Sequence, residues 1–238
     1  MPPIAPSTTP ATVQATGLSR RHGARWALRG VDLALHAGTA TVLYGANGAG
    51  KTTLIRLLAS AMRPTAGSLR WFGDVSPDRV RVATLSHHDG HYDDLTALEH
   101  LSLGARLLPS PRAGRPPRPS PHDLLMRVGL SARSGSLVRT YSAGMRKRLA
   151  FARLLQKGAD LVLLDEPYAA LDPAGALLVD GLITELRGQG ACLLVSTHQV
   201  QRTAALCDHA VRLDEGRVTW TGLASDTVGH PSVERGPT

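Results

Sequence analysis

Apolar residues fall into two recurring patterns along this chain. Thr39 to Tyr44 (TATVLY) is rich in β-branched and apolar residues and reads as a strand. Leu161 to Leu164 is a solid apolar run without alternation, as expected for a strand covered on both faces, and Ala191 to Ser196 reads the same way. Ser68 to Phe72 and Val80 to Leu85 are shorter strand candidates. Helical segments lie between them. Leu54 to Ala61 is one, and Leu95 to Leu108 carries Leu98, Leu101 and Leu107 at helical spacing. His122 to Val128 follows. Ser142 to Gln156 places Leu149, Phe151 and Ala152 inward and its basic residues outward. Pro173 to Arg187 starts with proline, which suits a first helical turn. Val211 to Leu213 and Arg217 to Thr221 form a closing hairpin around Asp214–Gly216.

Strands alternating with helices predict an α/β domain built on a mainly parallel sheet. One stretch departs from that rhythm. Residues 89–140 read as a helical insertion, interrupted at Pro109 to Pro121 by six prolines and three arginines in thirteen residues. That composition excludes a helix interior or a central strand and predicts an exposed, mobile connection. A single domain over 13–225 is expected, with polar tails at 1–12 and 226–238.

Composition narrows the function only slightly. Of 238 residues, 42% are hydrophobic, an ordinary globular value. No apolar stretch reaches the roughly 18 residues needed to cross a bilayer. The opening MPPIAPSTTPATVQATG lacks the basic and apolar regions of a secretory signal. Cys192 and Cys207 form no C-x-x-C and suggest no disulfide framework, which fits a reducing compartment. The net charge of +8 admits nucleic acid or an anionic membrane as a partner. No aromatics interleave with the basic stretch Arg106 to Arg118, so base stacking is unsupported and no specific nucleic-acid partner is expected.

The chemistry concentrates in GANGAGKTT, residues 45–53. Gly45, Gly50, Lys51 and Thr52 have the G-x-x-x-x-G-K-[ST] spacing of a phosphate-binding loop. Glycines let the backbone of Gly45, Ala46, Asn47, Gly48, Ala49 and Gly50 curl so that its N–H groups point at phosphate oxygens. Lys51 adds a point charge, and the Thr52 hydroxyl is a hard ligand suited to Mg²⁺. A helix starting near Thr52 and Thr53 aims its positive end at the same place. The second half of this site is LVLLDE, residues 161–166. Two carboxylates closing a buried strand are costly without a cation or partner. Asp165 is placed to hold Mg²⁺, and Glu166 to act as general base on the water that attacks a γ-phosphate.

In this order the motifs resemble the nucleotide-binding domain of ATP-binding cassette (ABC) transporters, over almost the whole chain. The resemblance implies a P-loop NTPase fold with an N-terminal antiparallel β part and an inserted helical subdomain. It makes GANGAGKT the Walker A motif, LVLLDE Walker B, and Tyr141 to Met145 (YSAGM) the signature. Ser142, Ala143, Gly144 and Met145 would then face the ATP of an opposite chain. Ala169 to Asp172 (AALD) becomes the D-loop with Asp172, and His198 in STHQ the switch histidine that contacts the γ-phosphate. His22 stands where the family stacks an aromatic on adenine. Lys51, Glu166 and His198 are the implied catalytic set, with ATP as substrate and Mg²⁺ as cofactor.

Two positions depart from the family. The signature is commonly LSGGQ, and only Ser142 and Gly144 match it. The Q-loop glutamine is replaced within LSHHD by His87 or His88, a softer nitrogen ligand. Together with His91 these histidines offer an alternative reading as a transition-metal or haem cluster. The resemblance further implies a head-to-tail homodimer across two ATP sites, at the cytoplasmic face of a membrane, driving a separate transmembrane permease. DLTALEHL, SAGMRKRLAFARLL, DEPYAALDPAG and STHQ resemble the ATP-binding subunit of the haem exporter of cytochrome c maturation. Drug-type or other ABC export ATPases are the alternative. A soluble ABC ATPase acting on nucleic acid or ribosomes fits less well, because one cassette is present and no heptads are sustained.

Overall fold

The computed structural model describes residues 13–71, 81–86, 90–108 and 117–227. Its centre is a six-stranded sheet in the order β5-β6-β7-β3-β8-β9. The strands are β3 (Ala40–Tyr44), β5 (Val82–Leu85), β6 (Leu161–Asp165), β7 (Cys192–Ser196), β8 (His209–Asp214) and β9 (Arg217–Leu223). All pairings are parallel except the β8–β9 hairpin. Every residue of β3, β6 and β7 is buried, which is why these strands read as unbroken apolar runs.

Each face of the sheet has its own cover. On one side lie α2 (Ala97–Leu107), α3 (Pro121–Arg127), α4 (Ala143–Lys157) and α5 (Pro173–Gly188), around Leu101, Leu124, Phe151, Val162 and Ile183. On the other lie α1 (Lys51–Leu58) and an antiparallel sheet of β2 (Arg25–Leu35), β1 (Val13–His22) and β4 (Ala66–Trp71), around Leu18, Leu28, Leu54 and Leu163. The short α6 (Val200–Ala204) packs near the β3–β8 edge with Val42, Ala204 and Ala210. Repeated register shifts bend β1 between Ala15 and Arg21. Such bulges re-aim a hairpin, and this one carries its tip, where His22 pairs with Arg25, to the mouth of the phosphate loop.

The helix caps obey local chemistry. Thr96 and Ser120 form capping boxes with Glu99 and Asp123 at the starts of α2 and α3. Ser142 caps α4 and Asp172 caps α5. One expectation is corrected on α4: its basic residues do not all face solvent. Lys147 is buried, Arg146 pairs with Asp93 and Arg148 with Asp172. The partners come from loops remote in sequence, so periodicity could not reveal them. At the carboxyl end the fold continues past 225 as a short 3-10 turn, Ala224–Thr227. The terminal segment 1–12, most of the second tail, and 109–116 of the Pro/Arg-rich connection lie outside the described residues.

The β8–β9 turn ties the two layers together through Gly216. Its N–H donates to the Ala49 carbonyl and its carbonyl accepts from Arg29 N–H. Its φ is 77°, and a Cβ there would stand 2.7 Å from the Ala27 carbonyl oxygen. Gly216→Ala should therefore lose at least about 2 kcal/mol of stability, from left-handed strain plus a backbone clash. Gly181 sits in α5 with open space around it, so Gly181→Ala should gain up to about 1 kcal/mol from helix propensity. Urea unfolding with unchanged slopes would measure both, and equal shifts in one direction would contradict the packing described.

Candidate functional site

Parallel strands bring their carboxyl ends to one edge, and the strand order decides what meets there. β7 lies between β6 and β3, with Ser196 in register with both Asp165 and Leu43. The end of β6 thus stands two strands from the loop that leaves β3, with Ser196 between them. A cavity of about 450 Å³ opens over this edge. Asn47, Gly48, Gly50, Lys51, Thr52 and Thr53 line it together with Asp165, Glu166 and His198. His22, Arg25 and Ala27 from the bent hairpin close the mouth.

The loop is shaped for close approach. Gly50 caps α1 with φ 107°, and a Cβ there would meet the Ala27 carbonyl oxygen at 2.5 Å. Only glycine fits both conditions. Lys51 is buried, and its ammonium donates to the carbonyls of Gly45 (2.7 Å) and Ala46 (3.1 Å). Burial lowers its pKa, while the carboxylates of Glu166 and Asp165 act in the opposite direction. The two acids thus offset part of the desolvation of the ammonium.

Asp165 is 2% exposed and fully engaged. Thr52 Oγ1 donates to its Oδ2 at 2.7 Å, and Ser196 Oγ donates to its Oδ1. Two hydroxyl donors make the buried charge tolerable. They also set two hard oxygens, from Thr52 and Asp165, side by side next to Lys51. That donor set fits Mg²⁺, which prefers few protein ligands and completes its shell with water and phosphate. No group of three or more His, Cys, Asp or Glu side chains among the described residues forms a dedicated metal cage.

Glu166 adopts a left-handed backbone, φ 49°. Such a conformation is rare for a non-glycine residue and is held here from outside. Its N–H donates to the Ser196 carbonyl at 3.0 Å. One carboxylate oxygen accepts from the His198 N–H at 3.3 Å, and the other lies 3.3 Å from His198 Nε2. That second oxygen is buried with no donor in hydrogen-bond geometry. The result is a carboxylate with one oxygen secured and one available, beside a half-exposed imidazole.

The remaining sequence-derived residues stand elsewhere. Ser142, Ala143, Gly144 and Met145 do not line the cavity. They open α4, with Ser142 and Ala143 exposed and Gly144 against the Ala170 carbonyl. Tyr141 is buried and donates its hydroxyl to the Arg133 carbonyl at 2.6 Å, so the larger residue is accommodated. Asp172 accepts from Gly175 N–H at 2.7 Å and pairs with Arg148. His87 and His88 lie outside the described residues. His91 behaves as packing: its Nε2 lies 3.0 Å from the Arg146 carbonyl, its ring meets His100 edge-on, and burial first, then Arg153, bring its pKa down to about 4. Three residues that build the site were not legible as such: Arg25 and Ala27, which line the cavity, and Ser196, which is buried beside it against Asp165. Arg25 follows His22 across a two-residue turn, and only the hairpin reveals its position. Ser196, the polar end of an apolar run, carried a signal in the STHQ that begins with it.

Comparison with known proteins places these features in a family. The ABC transporter family model matches residues 28–169. The chain is 38% identical to the cytochrome c biogenesis ATP-binding export protein CcmA 2 of Cupriavidus metallidurans, over 79% of this chain and 90% of that one. It is 35% identical to the daunorubicin resistance ATP-binding protein DrrA3 of Streptomyces coeruleorubidus, over 92% of this chain and 70% of that one. Among solved structures, the ATP-binding subunit of an ABC transporter superposes with a TM-score of 0.77 at 28% identity, covering 91% of each chain.

Ser196→Ala should cost about 1–3 kcal/mol, because a buried carboxylate loses one of its two hydroxyl donors. Chemical denaturation would measure it, and an unchanged midpoint would contradict the pairing with Asp165.

Proposed function

The chain belongs to the ABC transporter family of P-loop ATPases, and from that premise we propose that it is the ATP-hydrolysing subunit of an export complex whose membrane-spanning part is a separate polypeptide. The observation that carries the reading is the convergence of Lys51, Thr52, Asp165, Glu166 and His198 on one cavity. No helix among the described residues is long and apolar enough to cross a membrane. In this reading the subunit acts peripherally, at the cytoplasmic face of the membrane.

The residues suggest the following chemistry. The N–H groups of the 45–50 loop and the Lys51 ammonium bind the β- and γ-phosphates of ATP. Lys51 exchanges its two carbonyl acceptors for phosphate oxygens, a gain in charge complementarity. Thr52 and Asp165 would hold Mg²⁺, which neutralises charge on the transferring phosphoryl group when bound. The available oxygen of Glu166 orients the attacking water and takes its proton. His198 secures the γ-phosphate and, through its backbone N–H, the other oxygen of Glu166. His22 lies against the base at the mouth. Positioning and charge stabilisation account for most of the catalysis in phosphoryl transfer to water.

Ser142 and Ala143 stand exposed, with Gly144 and Met145 half-buried beside them, outside the cavity of their own chain. They would complete the site of a second copy in a head-to-tail homodimer with two ATP molecules. ATP then favours the closed dimer, because those contacts exist only there, and hydrolysis releases it.

Haem export for cytochrome c biogenesis is the cargo we favour. It is supported by 38% identity to an export protein of that process over nine-tenths of its length, and by the DLTALEHL and STHQ stretches. Drug export is the second reading, since the daunorubicin resistance protein aligns over more of this chain. Purification from membranes with the partner attached should recover a polytopic subunit. Loss of c-type cytochromes on deleting the gene supports haem, and drug sensitivity with intact cytochromes supports the second reading.

Lys51→Ala should weaken ATP binding at least about tenfold, as expected for losing a charge-assisted phosphate contact. Glu166→Gln should still bind ATP and hydrolyse it at least about 100-fold more slowly. Binding and turnover measured on the same preparations check both. Near-normal turnover in Glu166→Gln would remove it as the base.

A further inference from the structure

A side-chain cluster outside the cavity joins the two loops that carry Glu166 and His198. Tyr168 follows Glu166 by two residues, and Arg202 follows His198 by four. Both converge on Asp180, in the middle of α5. The Tyr168 hydroxyl donates to Asp180 Oδ1 at 2.8 Å. Arg202 Nε lies 3.1 Å from each Asp180 oxygen, and its Nη2 donates to Oδ2. The Arg202 guanidinium also stands 5.4 Å from the centre of the Tyr168 ring. Three different contacts, a phenol hydrogen bond, a forked ion pair and a cation–π contact, thus close one triangle.

Both loops carry a few hydrogen bonds of their own, and both contain features that call for support from outside. The 166–172 segment contains two left-handed non-glycine residues, Glu166 and Ala170 (φ 61°). Each is strained and persists only when its surroundings fix it. His198 is followed by α6, a helix of five residues, too short to be stable alone. Tyr168 is buried, and its hydroxyl needs an acceptor there. Burial foremost, then Asp180, raise its pKa, so the phenol keeps its proton as donor. The two loops also meet at their reacting ends, where both oxygens of Glu166 lie 3.3 Å from nitrogen atoms of His198. The triangle is a second brace between the same loops, anchored to a sixteen-residue helix.

We propose that Tyr168, Asp180 and Arg202 are positioning residues that hold Glu166 and His198 in mutual register for attack of water on ATP. This rests on the reading of Glu166 and His198 given above. The phenol and Asp180 fix the start of the Glu166 loop, and the forked guanidinium fixes α6 and, through it, the His198 loop. None of the three lines the ATP cavity, so they bear on the rate of the chemical step and not on nucleotide affinity.

Tyr168→Phe keeps the ring and removes only the hydroxyl. Arg202→Gln removes the fork and the charge. ATP turnover, ATP binding and thermal unfolding would be measured on the full chain for both, with Glu166→Gln and His198→Ala alongside. Each positioning variant should lower kcat about tenfold, a reasonable cost for a misplaced reacting group, with the ATP dissociation constant within twofold of the parent. Added to His198→Ala, Arg202→Gln should lower kcat less than twofold further, since its effect passes through that loop. A kcat within twofold of the parent in both variants, with Glu166→Gln inactive, overturns the brace and leaves the site reading intact. Parallel losses of kcat, ATP binding and melting temperature would assign the cluster to stability alone and equally overturn it. An active Glu166→Gln would instead count against the site reading itself.

Discussion

Asp165 is the fixed point of this molecule. A carboxylate ending a buried strand is tolerable only if donors surround it. Here they come from two directions: Thr52 in the first turn of α1 and Ser196 at the end of β7. The strand order β6-β7-β3 is what makes this possible, since Ser196 is in register with both neighbours. Satisfying one buried charge thus brings the ends of β6 and β7 and the phosphate loop to one place. The same contact leaves Thr52 and Asp165 as adjacent oxygens beside Lys51, the arrangement that a magnesium-bound triphosphate requires. Stability and site assembly are two consequences of one hydrogen-bonded carboxylate.

The parts of the fold that rest on local chemistry were legible from sequence. β6 and β7 are unbroken apolar runs because both their faces are covered, and a strand buried on both sides shows itself without context. Pro173 after Asp172 predicts a helix start, and Asp172 does cap α5. The phosphate loop is legible because its glycines, lysine and threonine are neighbours in the chain. What stayed hidden depends on residues far apart in sequence. Lys147 reads as an outward lysine from helical periodicity, yet α4 is packed deeply enough to bury it. Arg146 and Arg148 look like a solvated basic face until Asp93 and Asp172 arrive from distant loops. The bend in β1 comes from register shifts against β2, and no pattern in either strand announces it.

The formal charge of +8 invites a reading as a binding surface for polyanions. Ion pairing leaves that net value unchanged, because it already counts the acids, but it fixes where part of the basic charge sits. Arg127 meets Glu185, Arg139 meets Asp94, Arg146 meets Asp93, Arg148 meets Asp172 and Arg202 meets Asp180. Exposed pairs of this kind contribute little to stability. Their value lies in which segments they join. Nearly all of them connect a helix to a loop or helix that carries, or flanks, a motif of the site.

Arg148 illustrates why that matters. It donates to the Val128 carbonyl from one nitrogen and to Asp172 from another. Asp172 in turn caps α5 through Gly175. One guanidinium therefore links the end of α3, the helix α4 and the start of α5. At the opening of α4, a Cβ on Gly144 would stand 3.4 Å from the Ala170 carbonyl oxygen, so the start of this helix lies close to the loop that begins at Glu166. Movement of the helical layer against the sheet would strain these contacts together. A second chain seated on the exposed Ser142 and Ala143 would press on α4 directly, and α4 reaches the Glu166 loop through Gly144 and Asp172. A route from such a contact to Glu166 would thus run through a short series of backbone packing and the Arg148–Asp172 ion pair, without rearrangement of the parallel sheet that holds Asp165.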